Sequence, residues 1–390
     1  MLEDTQTCVD IIEKKQSMAG YCIGGGEFQL GELVGAGTFG QVYKAIDNNG
    51  RPHAIKAILS RNNRYSGKRV DARVLSSEIN VLSHIPPHHN VVHLEKVFHS
   101  DRLVFMVFEY CNNSDLYRNI MENPAFNSPT VIKSVYLQLL CAVNHLHAHD
   151  VYHRDLKPEN IMIAKTPKKN SDGCEYTVKL VDFGLSTTDL QSSELGCGSL
   201  YYTSPECNGV LFGNSTYNCE KNDIWALGVI LVNLTTKCSP WNKAVPADPR
   251  FAKFLASRSF FFSMANISIY FNSVLRKVLN INPNNRCSIK KLAILVSKCN
   301  RFTINKKSSD SQPLFDHIDS INDSSRNINY MVRRSSSYEY SQTYSYMNLY
   351  KHPHKNAAKT QKNLPKCLSK FVYTPRYCSD TINTLTSSLD

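Results

Sequence analysis

Four side chains that could carry out phosphoryl-transfer chemistry are grouped in two short runs of the sequence. The first run reads His-Arg-Asp-Leu-Lys-Pro-Glu-Asn at residues 153–160 and contains an acid that can accept a hydroxyl proton, Asp155, and a cation that can stabilise phosphoryl oxygens, Lys157. It ends with Asn160, whose amide oxygen can bind a metal ion. The second run, Asp-Phe-Gly, begins with Asp182, a further carboxylate for the same metal ions. An acid, a cation and two metal ligands in this order predict chemistry between a phosphoryl group and a hydroxyl.

In their order and spacing, the two runs resemble the signature of the eukaryotic protein kinases. The resemblance implies an α+β, two-lobed kinase fold, in which a small antiparallel-sheet lobe with one regulatory helix joins a larger, mainly helical lobe. It also implies ATP and Mg²⁺ as cofactors, with Asn160 and Asp182 as the metal ligands. Tyrosine kinases have a sequence like Asp-Leu-Ala-Ala-Arg-Asn in this loop. By resemblance to the other class, Lys157 therefore implies transfer to serine and threonine hydroxyls of protein substrates. Ser199 agrees, because a hydroxyl at this position can bridge Asp155 and Lys157.

A glycine-rich hairpin is predicted between the first two β-rich runs of the chain. Because glycine lacks Cβ, the backbone N–H groups of such a hairpin can close on phosphate oxygens. Dinucleotide-binding folds also contain Gly-x-Gly-x-x-Gly, but there the glycines begin a helix, whereas here Gln41-Val42-Tyr43 continues as a strand. The resemblance implies that the hairpin and the next strand line a nucleotide site through Val34, Gly35, Ala36, Gly37, Thr38, Phe39, Gly40, Val42 and Ala54.

A lysine and a glutamate are expected to form an ion pair beside this hairpin. Lys56 lies on the third predicted strand, where the resemblance implies a lysine that binds the α- and β-phosphates. Residues 70–85 have the apolar spacing of a helix, and Glu78 is the single carboxylate in its interior. We therefore expect Glu78 to pair with Lys56, the alternative being an exposed helical glutamate.

The apolar strand 103–108 leads into a predicted hinge between the lobes. The resemblance implies that Phe108 controls access to a pocket behind the adenine, and that the backbones of Glu109 and Cys111 bind the adenine edge. Asp115 is expected to reach the ribose hydroxyls. Capping the N-terminus of a helix is a compatible alternative role for Asp115.

Further contacts in the large lobe are implied by the same resemblance. Arg286 is expected to pair with Glu206, which ends a Ser-Pro-Glu run where Ala-Pro-Glu is usual. Asp223 is expected to bind the backbone of the loop at 153–160, and the apolar helix that it begins is too short to span a membrane. Short stretches around residues 196–202 and 222–244 are similar to the fungal Ran-type kinases, a group that links nutrient state to meiosis or invasive growth.

Composition and charge indicate the organisation of the chain. We expect an N-terminal extension at 1–27, a catalytic domain at 28–300 with lobes at 28–108 and 112–300, and a tail at 301–390. The tail is rich in Ser, Asn and Tyr without a helical or strand period, which predicts disorder. It holds 13 Lys/Arg and 7 Asp/Glu, about half of the net charge of +12. A solvated, phosphorylatable linker is favoured over a basic arm for nucleic acid or acidic partners.

Neither a secretory segment nor a lipidation motif is found, and the 13 cysteines contain no Cys-x-x-Cys pair. These features predict a reducing compartment, the cytoplasm and/or the nucleus, for a monomer without membrane or nucleic-acid partners. A catalytically dead scaffold with the same fold is the alternative to an enzyme, and the presence of every catalytic group argues against it. A basic nucleic-acid-binding protein would need a second module, and none is visible.

Two charged features predict regulation and substrate choice. Arg154 is typical of kinases that bind a phosphate on the segment after Asp-Phe-Gly, but Leu195 occupies the usual acceptor position. We therefore predict basal activity without an upstream kinase acting there, with Glu194 or phosphorylated Ser192 or Ser193 supplying the charge.

Asp115 and Glu159 match two acidic positions that, in basophilic kinases, face the third residue before the acceptor. They predict a preference for arginine there. Arg333 and Arg334 precede Ser336 and Ser337 by three residues, so autophosphorylation of the tail is a further hypothesis, beside an accidental Arg-Arg-Ser.

Overall fold

The computed structural model describes residue 12 and residues 16–37, 40–61, 70–100, 103–167, 174–211, 213, 215–304 and 372–373. Two groups of predicted residues lie outside this part of the chain. One is the tip of the glycine-rich hairpin, Thr38 and Phe39. The other is most of the tail that is predicted to be disordered, residues 305–371 and 374–390, with its Arg-Arg-Ser motif at 333–337.

The small lobe is a curled antiparallel sheet with one helix against it. Its elements are β1 (Cys22–Ile23), β2 (Phe28–Gly37), β3 (Gly40–Asp47), β4 (Pro52–Arg61), β5 (Val70–Asp71), α1 (Ala72–His84), β6 (Leu94–His99) and β7 (Leu103–Glu109). The antiparallel order is β1-β2-β3-β4-β7-β6, and β5 pairs with β4 in parallel. The predicted helix at 70–85 therefore begins at Ala72, and its first two predicted residues form a short strand instead.

Local turn chemistry joins β3 to β4. The carboxylate of Asp47 accepts hydrogen bonds from the backbone N–H groups of Asn49 and Arg51, both at 2.8 Å. Gly50 completes the turn at φ +74°, a conformation that favours glycine. The strand β4 consequently returns antiparallel to β3 and carries Lys56 to the inner side of the lobe.

Residues 16–23 also lie on this sheet, before the boundary expected from the sequence. Met18 is fully buried, and its backbone N–H donates to the Tyr43 hydroxyl at 3.0 Å. The N–H of Gly20 donates to the carbonyl of Leu30 at 2.7 Å. The end of the predicted extension thus contributes to the core of the small lobe.

The large lobe is mainly helical. Its elements are α2 (Leu116–Glu122), α3 (Pro129–Ala148), β8 (Ile161–Pro167), β9 (Cys174–Leu180), β10 (Gln191–Ser192), β11 (Tyr217–Asn218), α4 (Cys219–Thr236), α5 (Pro249–Ala256), α6 (Phe260–Met264), α7 (Ile269–Val278) and α8 (Ile289–Ser297). In the tail, β12 (Val372–Tyr373) pairs antiparallel with the edge strand β6. The predicted helix at 130–149 and the predicted hairpin that ends before Asp182 are both present, and the two-lobed α+β kinase fold is confirmed.

Helix α4 forms the centre of the large lobe. Its residues are buried without interruption from Asn222 to Leu234, as expected for a helix that is apolar on all sides. Trp225 stacks on Trp241 with ring centroids 5.5 Å apart, and both contact Phe251. None of the helices in the described part of the chain combines the length and the hydropathy that crossing a bilayer requires.

Candidate active site

A cleft of about 1080 Å³ collects most of the residues that the sequence predicts for nucleotide binding. The predicted residues that line it are Val34, Gly35, Ala36, Gly40, Val42, Ala54, Lys56, Glu78, Phe108, Glu109, Cys111, Asp115 and Asp182. Both lobes contribute, since Asp115 and Asp182 belong to the large lobe. Gly37 lies opposite Gly40 at the end of the β2–β3 hairpin.

Gly40 allows this hairpin to pack closely on the next strand. Its backbone has φ +139°, and a Cβ at this position would lie 2.2 Å from the carbonyl oxygen of Ala57. A side chain cannot be accommodated at that distance, so the hairpin has its present shape only with glycine here. Val42 and Ala54 add small apolar side chains to the cleft wall, which suits a flat aromatic ring.

The hinge follows strand β7, and its glutamate is fixed within the protein. The carboxylate of Glu109 accepts from Lys179 Nζ at 2.8 Å and from the backbone N–H of His93 at 3.0 Å. This leaves the hinge backbone as the predicted contact for adenine. Burial, together with the charge of Glu109, raises the pKa of the Cys111 thiol to about 11, so that this side chain is neutral.

Asp115 is the N-cap of helix α2 and also lines the cleft. Its Oδ1 accepts from the backbone N–H of Arg118 at 2.7 Å, which confirms the capping alternative. Glu159 lines the same cleft. Burial raises the pKa of Glu159, and the negative charges of Asp115 and Asp155 act in the same direction. The two acids predicted to bind a basic side chain therefore lie near each other, while the ribose contact stays a prediction.

The predicted ion pair of the small lobe is present and extends to the large lobe. Lys56 Nζ lies 2.8 Å from Glu78 Oε1 and 3.1 Å from Asp182 Oδ1. Burial opposes the charge on Lys56, but Asp182 and Glu78 outweigh it and raise the pKa of the ammonium. Burial likewise opposes ionisation of Asp182, yet the charge of Lys56 keeps the pKa of this carboxyl below its usual value. Asp182 has φ +64°, a strained conformation for a residue with a side chain.

Asp155 is held by residues of the catalytic loop, which we define as residues 152–160, and by Ser199. Its Oδ1 accepts from the Ser199 hydroxyl at 2.8 Å, and its Oδ2 lies 2.7 Å from Lys157 Nζ. Lys157 also donates to the Ser199 hydroxyl at 3.1 Å, so the predicted bridge is confirmed. The Asn160 amide NH₂ donates to the carbonyl and carboxylate of Asp155, at 3.0 and 3.2 Å. Its amide oxygen is the atom suited to a metal ion.

The catalytic loop is supported from the core of the large lobe. Buried Asp223 accepts from the backbone N–H groups of His153 at 2.8 Å and Arg154 at 2.9 Å, as predicted. Sequence reasoning missed two histidines of this support. His147 Nε2 lies 2.9 Å from Asp223, and His153 Nε2 lies 3.1 Å from the carbonyl oxygen of Val181, next to Asp182. The position of His153 in the conspicuous motif was the one available signal, since His147 carries no local pattern.

The predicted pair Arg286–Glu206 is confirmed as a buried, two-pronged ion pair. The two guanidinium nitrogens lie 2.6 and 3.1 Å from the two carboxylate oxygens. Arg286 also stacks over the Trp225 ring at 5.0 Å. This pair ties the end of the segment that contains Ser199 to the core of the lobe.

These features can be compared with known protein families. The protein kinase domain family matches residues 28–294. The chain belongs to this family. The match covers both lobes, from the first strand of the cleft to helix α8.

The relatives of this chain include several fungal proteins. The Schizosaccharomyces pombe protein named negative regulator of sexual conjugation and meiosis is 35% identical over 300 residues, which are 72% of this chain and 61% of that protein. Serine/threonine-protein kinase ksp1 of the same species is 36% identical over 219 residues, 55% of this chain and 45% of that protein. The chain thus spans less than two thirds of either relative.

Serine/threonine-protein kinase VHS1 of Saccharomyces cerevisiae is 29% identical over 342 residues, 72% of each chain. The predicted resemblance to a subfamily of fungal kinases is confirmed by this set, in which the name of one member refers to meiosis.

A protein kinase domain implies ATP binding, and the cleft fits this nucleotide. The hairpin lines the cleft with the backbone of Gly35, Ala36 and Gly40, beside the apolar wall of Val42 and Ala54. Lys56 is a buried cation that can bind phosphate oxygens. The oxygens of Asp182 and Asn160 are hard ligands of the kind that a divalent cation bound to phosphates prefers.

Proposed function

We propose that the chain is an ATP-dependent protein serine/threonine kinase that transfers the γ-phosphoryl group to Ser/Thr hydroxyls of proteins. The observation that carries this proposal is the environment of Asp155. Its carboxylate is fixed by Ser199 and Lys157, while Lys56 and Asp182 form an ion pair across the adjoining cleft. The site thus contains both a base for the acceptor hydroxyl and charged groups for a triphosphate.

Mg²⁺–ATP, when bound, supplies the phosphoryl group and neutralises part of its charge. Asn160 and Asp182 would hold the Mg²⁺, and Lys56 would bind phosphate oxygens. Asp155 would orient the acceptor hydroxyl and accept its proton at the carboxylate. Lys157, held beside Asp155, would stabilise charge on the phosphoryl oxygens. Little covalent chemistry is asked of the protein, so positioning and electrostatics account for the rate.

The assay that tests this proposal compares phosphotransfer by the full chain and by its Asp182→Ala variant. Purified protein, Mg²⁺, labelled ATP and a basic serine peptide are the components. We expect the wild type to label the peptide and the variant to lose at least 99% of that activity. An inactive wild type that still binds ATP would instead indicate a catalytically dead scaffold.

We propose that the substrates have arginine at the third position before the acceptor. Asp115 and Glu159 support this, because two neighbouring carboxylates can bind one guanidinium. A peptide array should therefore show selection for arginine at that position. Acidic or proline-directed selection would contradict it. The tail serines Ser336 and Ser337 fit the same preference, and truncation after Arg301 should lower the KM for a basic peptide if they compete with substrate.

We also propose that the kinase acts in nutrient, growth or meiotic signalling as a monomer in the cytoplasm and/or nucleus. Support for the signalling role comes from the Schizosaccharomyces pombe relative, whose name refers to conjugation and meiosis. Imaging of the tagged chain in a fungal host and light scattering of the purified chain test location and oligomeric state. Membrane-bound signal or a dimeric mass would contradict the proposal.

A further inference from the structure

Arg154 is a buried cation directly before the catalytic acid. Its side chain is only 10% exposed, and its backbone N–H is bound by Asp223 at 2.9 Å. The backbone at Arg154 has φ +63°, a conformation that residues with a side chain rarely adopt. A Cβ on Gly198 would lie 2.4 Å from the Arg154 carbonyl oxygen, so the segment after Asp-Phe-Gly packs directly on it. The Arg154 side chain thus lies against the segment at residues 185–199.

The donors of this guanidinium reach three groups in the described part of the chain. Nε donates to the carbonyl oxygen of Leu185 at 2.6 Å, and Nη1 donates to the Ser192 hydroxyl at 3.1 Å. Nη1 also lies 2.6 Å from Glu194 Oε2. A buried cation is costly unless an opposite charge compensates it, and among these three groups Glu194 alone is charged.

Local turn chemistry places Glu194, and not the following residue, against Arg154. The N–H of Glu194 donates to the Ser192 hydroxyl at 3.1 Å, and its carbonyl accepts from the Cys197 N–H at 3.3 Å. Strand β10 ends at Ser192 and pairs with β11, which fixes the start of the turn. Leu195 points outward and is 45% exposed. The Glu194 carboxylate is therefore the negative charge that this turn presents to Arg154.

Five residues after Glu194, the same segment is hydrogen-bonded to the catalytic acid Asp155. Both the N–H and the hydroxyl of Ser199 donate to Asp155 Oδ1, at 2.9 and 2.8 Å. The stretch from Glu194 to Ser199 is consequently attached at its two ends to two adjacent loop residues, Arg154 and Asp155. Release of the Glu194 end would loosen the stretch that orients Ser199.

We propose that Glu194 is a built-in counter-ion for Arg154 that positions the segment after Asp-Phe-Gly, so that the kinase works without a phosphate on this segment. The inference rests on the proposed kinase activity. Glu194 acts through Arg154 and does not touch reacting atoms, so it is a positioning residue. Because the Glu194 side chain is 68% exposed, salt screens the pair, and its loss should change the rate several-fold rather than abolish it.

The test uses the full chain, made in bacteria, treated with phosphatase and shown by mass spectrometry to lack phosphate. We expect it to be active. Glu194→Gln should lower kcat about fivefold to tenfold with little change in the KM for ATP, and Glu194→Asp should recover part of the loss. Raising NaCl from about 50 to about 300 mM should slow the wild type more than Glu194→Gln, since only the wild type has the exposed pair between Glu194 and Arg154 for salt to screen. Glu175→Gln, which removes an exposed charge on β9, is the matched control.

A double-mutant cycle shows whether the effect passes through Arg154. In an Arg154→Gln background, Glu194→Gln should have no further effect, and Glu194→Gln alone should keep the wild-type melting temperature within a few degrees, because the Glu194 side chain is exposed. Wild-type activity in Glu194→Gln, additive losses, or loss of most turnover after phosphatase treatment would each overturn the proposal. A chain that is inactive both before and after phosphatase treatment would refute the kinase activity itself.

Discussion

The catalytic loop and the Lys56–Glu78 pair face the same cleft but are held in different ways. The loop is fixed within one lobe, because the buried carboxylate of Asp223 binds two consecutive backbone N–H groups. The pair joins a strand to a helix of the small lobe, and Lys56 also contacts Asp182 of the large lobe at 3.1 Å. The position of the catalytic loop is therefore independent of how the two lobes are arranged, whereas the contact between Lys56 and Asp182 depends on it.

This difference separates the tasks of the two regions. A loop anchored by buried backbone bonds keeps its carboxylate in one orientation, which the acceptor hydroxyl requires. A contact across the lobes can break and form again as a cleft opens and closes. Substitutions in the loop should therefore act on chemistry or folding, and substitutions in the pair should act on nucleotide-dependent steps.

The largest effect is expected for Asp155→Asn. The amide keeps the shape of the carboxylate but cannot accept the proton, so kcat should fall by about 10³-fold or more. The KM for ATP should stay close to that of the wild type in steady-state kinetics, and differential scanning fluorimetry should show a cooperative unfolding transition, so that the loss is one of chemistry in a folded protein. A variant that retains a tenth of the rate would show that Asp155 only orients the hydroxyl.

Asp223→Asn should reveal the support of the loop as a loss of stability. Asp223 is 1% exposed and accepts three hydrogen bonds, from two backbone N–H groups and His147, which an amide can only partly satisfy. Removal of one partner from such a buried network typically costs about 3 kcal/mol of the free energy of unfolding. Urea unfolding measures this value. Asp189→Asn, an exposed aspartate of the same lobe, is the control, and an equal loss there would contradict the role of Asp223.

Glu78→Gln should have a smaller effect, confined to the nucleotide side of the cleft. It removes the negative charge from the contact at 2.8 Å but leaves the contact between Lys56 and Asp182. A loss of about 2 kcal/mol corresponds to roughly a 30-fold lower kcat/KM for ATP. Steady-state kinetics with varied ATP measure it, with Glu95→Gln as control, since Glu95 pairs with His53 in the same lobe. If Glu78→Gln lost as much kcat/KM for ATP as Lys56→Met, the contact between Lys56 and Asp182 would contribute nothing by itself, contrary to this prediction.

The chemistry-bearing residues could be predicted because their geometry is local. Asp155, Lys157 and Asn160 lie within six residues of one another, so one loop conformation brings them together whatever the surrounding packing. The pairs Lys56–Glu78 and Glu206–Arg286 are distant in sequence, and only the resemblance to a known signature predicted them.

Other features depend on packing that leaves no period in the sequence. Met18 directly follows the polar run at residues 13–17, and no helical or strand period marks it, yet it is fully buried beside Tyr43. His147 lies in a helix whose apolar face was evident, but its contact with Asp223 requires the crossing of α3 and α4. The strand at Val70–Asp71 forms because the end of β4, at residues 60–61, extends past its pairing with β3 and β7 and is open to another strand, which outweighs the local helical pattern.

The smallest effect is expected at a histidine contact away from the cleft, and it is a dependence on pH. His88, in the loop between α1 and β6, stacks on His145 of α3, with ring centroids 4.5 Å apart. His149 lies 4.5 Å beyond His145. Burial lowers the pKa of His88 to about 4, and the charges of His145, His89 and Lys179 add to this shift.

The direction of the pH dependence of stability follows from the lowered pKa of His88. Between pH 6.5 and about 4 the unfolded chain binds a proton at His88 that the folded chain does not, so stability is lost as the pH falls through this range. We expect the wild-type melting temperature to fall between pH 7 and pH 5 by about 3 °C more than that of His88→Asn, whose amide oxygen can still accept from the Asn90 N–H as Nδ1 does. His84→Asn, at an exposed histidine, is the control. Equal acid sensitivity of the wild type and His88→Asn would show that this contact between the lobes does not respond to pH.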